Sequence, residues 1–276
     1  MHVLVCSKKS LYEVYQHSIL SKYHLNKIVV NHKEHTQTQE VIFSVLKKLK
    51  IPYKSVYRDD LSRLKRIDHY DLIISCGGDG TLLHVQRFIR KGKIFAVNSD
   101  PKNSVGYFSI AHRFTFLKQL TKYLDGELSE VSINRLMLKI NKKIYTKRIF
   151  NDVLISNETP SLTSRYEITV NNKKEVQKSS GIWITTAAGS TGAIKSAGGN
   201  ALPANSKKFE FLVREPDYTF NSRLINKIMK PEESIIIDSR MINGICYIDG
   251  AADSVRFNLG DRLTFSNSSE PITLIR

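Results

Sequence analysis

At Asp125-Gly126 the chain changes its pattern, and that change constrains the fold more than any single motif. Before it, short apolar runs alternate with helical spacing. Strands are expected at residues 3–6, 27–30, 53–57, 72–75 and 94–97. Thr36 with Gln39 reads as a capping box ahead of a helix striped by Ile42, Val45, Leu46 and Leu49 and closed by Pro52. A second helix should follow Gly80, carrying Leu82, Leu83, Phe88 and Ile89, and a third should cover residues 114–124. After Asp125-Gly126 come short β-branched runs, among them residues 132–140, 144–156, 165–170 and 182–186, separated by polar turns such as Asn141-Lys142-Lys143 and Asn171-Asn172-Lys173-Lys174. The expectation is an α/β N-terminal domain with a parallel sheet, residues 1–125, followed by a mostly antiparallel β-sandwich domain, residues 126–276.

Composition narrows the class. Of 276 residues, 41% are hydrophobic and 25% charged, which excludes collagen-like and wholly disordered chains and leaves material for two cores. The longest apolar runs, such as Ile182-Trp183-Ile184, are too short to span a membrane. Scattered Cys6, Cys76 and Cys246 exclude a disulfide framework and a cysteine-rich zinc site. His32 and His35 lack an evident third ligand, so no metal site built from side chains is expected. The opening Met1-His2-Val3-Leu4-Val5 carries no signal or transit pattern, and a cytoplasmic protein without a membrane partner is expected. Residues 1–148 hold 27 Lys and Arg against 12 Asp and Glu, net +15, whereas residues 149–276 hold 15 against 14, net +1. A basic half fits an anionic partner such as a nucleotide, and it equally fits a solvated lysine-rich surface. Aromatics between the basic residues are too sparse for a nucleic-acid surface, so no nucleic-acid partner is expected.

The strongest chemical signal is Asp71-Leu-Ile-Ile-Ser-Cys-Gly77-Gly78-Asp79-Gly80-Thr81. A buried strand runs into three glycines and an aspartate, then directly into a helix. Glycines permit positive φ and close approach of a ligand, and the helix N-terminus offers free N–H groups to phosphate. The embedded carboxylate suits a general base or a Mg²⁺ ligand. A tight turn in which Asp79 only caps the helix is the structural alternative. Neither a Walker A loop nor a dinucleotide-binding glycine fingerprint is present.

Gly77-Gly78-Asp79-Gly80-Thr81 resembles the signature of the superfamily containing NAD kinases, diacylglycerol kinases and sphingosine kinases. Asn151-Asp152, the segment Gly181 to Gly199 centred on Gly189-Ser190-Thr191-Gly192-Ala193, and Tyr247-Ile248-Asp249-Gly250 resemble NAD kinase motifs in the family's order. The loop Asn98-Ser99-Asp100-Pro101 with Ser104 and Gly106 resembles the mitochondrial and plant NADH-kinase branch. Three positions depart: the family's stacking Tyr is Ala193, an Asp is Ser180, and a Gln after the late Asp-Gly is Ala251.

The resemblance implies transfer of phosphate from ATP, with Mg²⁺, to the 2′-hydroxyl of the adenosine ribose of NAD or NADH. Asp79 would accept the hydroxyl proton; Gly77, Gly78, Gly80 and Thr81 would shape the phosphate loop. Asn151 and Asp152 would bind the adenine and ribose. Thr191, Gly192, Ala193 and Ser196 would line the dinucleotide. Asp249 would either reach the site or end a hairpin. A homodimer or homotetramer is implied. A lipid kinase of the same superfamily and a nucleotide sensor with weak turnover are the competing readings.

Overall fold

The computed structural model describes residues 1–15, 22–64, 67–219, 223–250 and 253–276. Two compact units emerge: Met1–Val131 with Ile272–Arg276, and Ser132–Pro271. The last strand, Ile272–Ile275, returns to the first unit's sheet, so the chain does not divide at one point.

In the first unit, β1 (Val3–Ser7), β2 (Tyr53–Tyr57), β3 (Leu72–Gly77) and β4 (Lys93–Asn98) pair in parallel in the order β2-β1-β3-β4. Every residue of β1 and β3 is buried, the continuous apolar run of a parallel strand covered on both faces. Helix Lys22–Lys48 lays Ile42, Val45 and Leu46 on the core with Val3, Val5, Leu72 and Ile74.

That helix corrects the strand expected at residues 27–30. No Gly or Pro interrupts residues 22–48, and Val29 and Val30 are exposed, so the three β-branched residues Ile28, Val29 and Val30 remain part of a longer helix. Thr36 and Gln39 therefore lie inside the helix and cap nothing. A reciprocal capping box forms instead at Ser10 and Glu13: Glu13 N–H donates to Ser10 Oγ at 3.2 Å and Ser10 N–H to Glu13 Oε2 at 2.7 Å. Lys50, at φ +54°, closes the long helix by a Schellman pair, with Ile51 N–H donating to Leu46 O and Lys50 N–H to Lys47 O.

Among the described residues, the second unit is built around two six-stranded antiparallel sheets. One runs Lys173–Ser179, Ser164–Val170, Ile235–Ser239, Arg262–Asn267, Leu136–Ile140, Lys143–Ile149; the other runs Asn226–Met229, Phe209–Arg214, Gly181–Thr186, Asp152–Asn157, Gly244–Ile248, Asp253–Phe257. Alternate residues of both sheets, including Tyr166, Ile168, Ile182, Ile184, Phe209 and Phe211, form one core. Asn141-Lys142 and Asn171-Asn172 make two-residue hairpin turns with positive φ at both positions. Lys173 and Lys174, read as turn residues in the sequence, begin a strand.

Candidate functional site

Parallel pairing brings the carboxyl ends of β1 to β4 to one edge of the first sheet: Ser7 lies beside Tyr57 and Cys76, and Gly77 beside Asn98. Ligands bind at such edges in α/β sheets. Gly77 ends β3, Gly78 is the N-cap at φ −92° and ψ −172°, and helix Asp79–Gln86 begins at once. This loop does not use the positive φ that glycine permits: none of Gly77, Gly78 and Gly80 has a positive φ. Space is the reason for two of them. A Cβ on Gly77 would collide with the Thr81 side chain, and one on Gly78 would lie 2.6 Å from Ser104 Oγ, whereas Gly80 faces open space.

Asp79 does not cap its helix. Its Oδ2 accepts the Tyr107 N–H at 2.9 Å and its Oδ1 the Phe108 N–H at 3.0 Å. Two backbone amides of the loop after β4 thus fix the orientation of a partly exposed carboxylate, and each oxygen keeps a further acceptor lone pair. The loop is itself braced, with Asn98 Nδ2 donating to Ser104 O at 2.9 Å and Asp100 N–H to Asn98 Oδ1 at 3.0 Å. Thr81 is buried, and its Oγ1 has no hydrogen-bond partner. One cation at the loop escaped the sequence reading: Arg58, just after β2, donates from Nη1 to Gly80 O at 3.4 Å.

The second constellation lies within the second unit. The expected strand at residues 144–156 breaks at Phe150-Asn151, where the chain leaves one sheet and enters the other. Asn151 O accepts the Thr186 N–H at 3.0 Å and the Thr185 hydroxyl at 2.9 Å. Phe150 O accepts the Thr186 hydroxyl at 2.5 Å. On the other side, the buried Asp249 carboxylate accepts the N–H groups of Phe150, at 3.1 Å, and Asn151, at 2.7 Å. Asp249, at φ +51°, also donates its own N–H to Asp152 O at 2.9 Å. Asp249 is a clamp on the crossing, a role that Asp-Gly in the sequence did not reveal.

The crossing presents two side chains together. Asn151 Nδ2 donates to Asp152 Oδ2 at 3.1 Å. Burial pushes the Asp152 carboxyl up to about 6, against a smaller opposing pull from the Gly250 N–H. Gly189 and Gly192 pack against them. A Cβ on Gly189 would collide with the Asn151 backbone, and one on Gly192 would lie 3.7 Å from Asn151 Nδ2 and 3.9 Å from Asp152 Oδ2. Thr191, Ala193 and Ser196 are exposed around the short helix Ala193–Ser196. Ser190, which the sequence reading left without a role, is buried and ties this segment down. Its hydroxyl donates to Ala187 O at 2.7 Å and accepts the Leu202 N–H at 2.8 Å. Ala251 lies outside the described residues.

From the sequence, Trp183 between Ile182 and Ile184 reads as a core residue, and the structure corrects this. Ile182 and Ile184 are fully buried, so period-two alternation turns Trp183 outward, where it is half-buried rather than core. With Asp152, Leu154, Tyr247 and Gly250 it lines a cavity of about 210 Å³. His32 and His35 hold local structure: His32 Nδ1 meets Ser10 Oγ at 2.8 Å, and His35 Nε2 meets Lys8 O at 2.9 Å.

No family model matches the chain. Curated relatives do. A probable NADH kinase of Oryza sativa subsp. japonica is 30% identical over 265 residues, covering 87% of this chain and 81% of that protein. An NADH kinase of Arabidopsis thaliana is 32% identical over 261 residues, covering 86% and 82%. An NAD kinase of Aquifex aeolicus is 25% identical over 247 residues. Among solved structures, an NAD kinase from Archaeoglobus fulgidus in complex with ATP shares the fold at TM-score 0.71 and 18% identity, covering 100% of this chain and 94% of that one. Yeast NADH kinase complexed with NADH does so at TM-score 0.73 and 14% identity, covering 99% and 82%. With relatives at this identity matched over most of both lengths, the chain belongs to the NAD/NADH kinase family.

Proposed function

We propose that the chain transfers the terminal phosphate of ATP to the 2′-hydroxyl of the adenosine ribose of NAD or NADH. The observation that carries this reading is the carboxylate of Asp79, standing at the carboxyl edge of a parallel sheet and aimed by the Tyr107 and Phe108 amides. Phosphoryl transfer needs positioning and charge stabilisation more than covalent chemistry. Asp79 takes the hydroxyl proton through an oxygen lone pair not used by the loop. The N-terminal amides of helix Asp79–Gln86, with Arg58 near Gly80, favour phosphate charge. Asn151 and Asp152 bind the dinucleotide, an amide and a carboxyl offering donors and acceptors to base and ribose, with Gly192 permitting close approach and Thr191 and Ser196 adding hydroxyls.

Among the described residues no group of three or more His, Cys, Asp or Glu is placed to hold a metal ion. Mg²⁺ would arrive bound to the triphosphate, with the Asp79 carboxylate available to it, and would neutralise phosphate charge. We place the protein in the cytoplasm, as a homodimer or homotetramer. Three unpaired, buried cysteines support a reducing compartment. Among the described residues no helix is long and apolar enough to cross a membrane.

The test is direct. Purified protein with Mg·ATP and either NAD or NADH should yield the 2′-phosphorylated product, read by mass spectrometry. Product from a short-chain diacylglycerol, and none from either dinucleotide, would favour the lipid-kinase alternative.

A further inference from the structure

The outer face of the sheet that contains Ser164–Val170 carries cations that its own carboxylates do not balance. Alternation along this strand turns Tyr166, Ile168 and Val170 into the core and Arg165 and Glu167 outward. Arg165 lies directly opposite Lys178 on one neighbouring strand. On the other side Tyr166 faces Ser239, and the Arg240 N–H donates to Arg165 O at 3.0 Å, so Arg240 also lies opposite Arg165. Three cations thus stand in one row, an arrangement that repels itself without an anion. The nearby carboxylates are committed elsewhere. Glu167 is shared between Lys174 at 3.3 Å and Arg240 at 3.5 Å, Asp238 is gripped by Arg262 at 2.6 and 2.9 Å, and Glu158 accepts the Arg256 Nε–H at 2.7 Å. Among the described residues, the Arg165 guanidinium has no hydrogen-bond or ion-pair partner.

A cavity of about 400 Å³, within the ordinary range of small-molecule sites, opens onto this row and is lined by both Arg165 and Arg240. Asn157 and Asn243 add side-chain amides; Asn157 Oδ1 already accepts the Thr159 N–H at 3.0 Å, which leaves its Nδ2 to donate. Leu162 and Ile242, 56% and 75% exposed, give the cavity an apolar side, and its described lining includes no carboxylate. We propose that this cavity is a second ligand site, taking an organic phosphate monoester with its phosphate between the two guanidinium groups and its apolar body against Leu162 and Ile242. Guanidinium forks match phosphate oxygens. Cations in excess of one shared carboxylate call for more than one negative charge, which a phosphate monoester carries near neutral pH and a carboxylate does not. An inorganic ion would leave the apolar side chains in water. Asn157 ends the strand Asp152–Asn157, whose other end is the Asn151-Asp152 crossing. Five strand steps separate the two ends by roughly 16 Å, so both sites can be filled at once. This site does not depend on the phosphate-transfer reading.

The test is calorimetry with 1-naphthyl phosphate, inorganic phosphate and 1-naphthoate on the wild type, Arg165→Gln, Ile242→Ser and Arg58→Gln. Arg165 and Ile242 are exposed, so their variants should fold. The wild type should bind 1-naphthyl phosphate saturably and more tightly than either of the other two probes. Arg165→Gln should weaken that binding about tenfold or more. Ile242→Ser should weaken it while leaving inorganic phosphate unchanged, and Arg58→Gln should bind like the wild type. The proposal is overturned by absence of saturable binding, by equal affinity in Arg165→Gln, or by tighter binding of 1-naphthoate. Affinity lost in Arg58→Gln would place the probe at the Gly77–Thr81 loop and overturn it too.

Discussion

The two candidate constellations are built in opposite ways. The Gly77–Thr81 loop is one continuous stretch, met from a distance by the Tyr107 and Phe108 amides, the Ser104 side chain, the Ser99 N–H and the Arg58 guanidinium. The Asn151-Asp152 crossing is assembled from three separated stretches, around residues 150–152, 185–192 and 249–250, and held by at least five hydrogen bonds to its backbone. Local construction makes the first tolerant of change outside its few contacts. Assembled construction makes the second depend on each clamp.

The largest effect should come from the clamp. Asp249→Ala leaves two buried N–H groups without their acceptor, at about 1–3 kcal/mol each. Urea unfolding should show a loss of about 2–5 kcal/mol, together with weakened dinucleotide binding. An unchanged midpoint would remove Asp249 from the account and blur the contrast between the regions.

Glycine substitutions sharpen the contrast. Gly189→Ala forces a Cβ into the Asn151 backbone and should cost about 1–3 kcal/mol by overpacking. Gly80→Ala, with open space and a helical position, should instead gain up to about 1 kcal/mol. Thermal melting of the two variants should move in opposite directions. Movement in the same direction would break the argument from space.

A subtler effect concerns pH. The Asp152 carboxyl is raised from 3.8 to about 6 in the folded chain. Between these values the folded state binds the proton more tightly than the unfolded state. This contribution therefore makes stability fall as pH rises from about 4 to about 6, after which the cost stays constant. Asp152→Asn removes it. The variant should match the wild type near pH 4 and exceed it by about 3 kcal/mol at pH 7. A stability difference that does not vary with pH would contradict the burial argument.

Legibility in the sequence follows the same division. Strands β1, β3 and β4 were plain because burial on both faces writes continuous apolar runs. The motif at Gly77–Thr81 was plain because all its parts are adjacent. Residues 27–30 misled because three consecutive β-branched residues, Ile28, Val29 and Val30, mimic a strand although they lie in the exposed early part of a 27-residue helix. Trp183 misled because a run of three apolar residues hides alternation. Asn151 and Asp152 stood out only through resemblance, and Asp249, Thr185 and Thr186 could not be assigned their roles at all. Their partners lie 34 to 99 residues away, and nothing local in the sequence encodes such a meeting.

The central claim is that Asp79, aimed by two backbone amides, serves proton removal and not dinucleotide binding. Steady-state turnover and dinucleotide affinity of Asp79→Asn test it together. The account predicts kcat lower by roughly 10²–10⁴-fold, with affinity for NAD unchanged. Turnover like that of the wild type would contradict it.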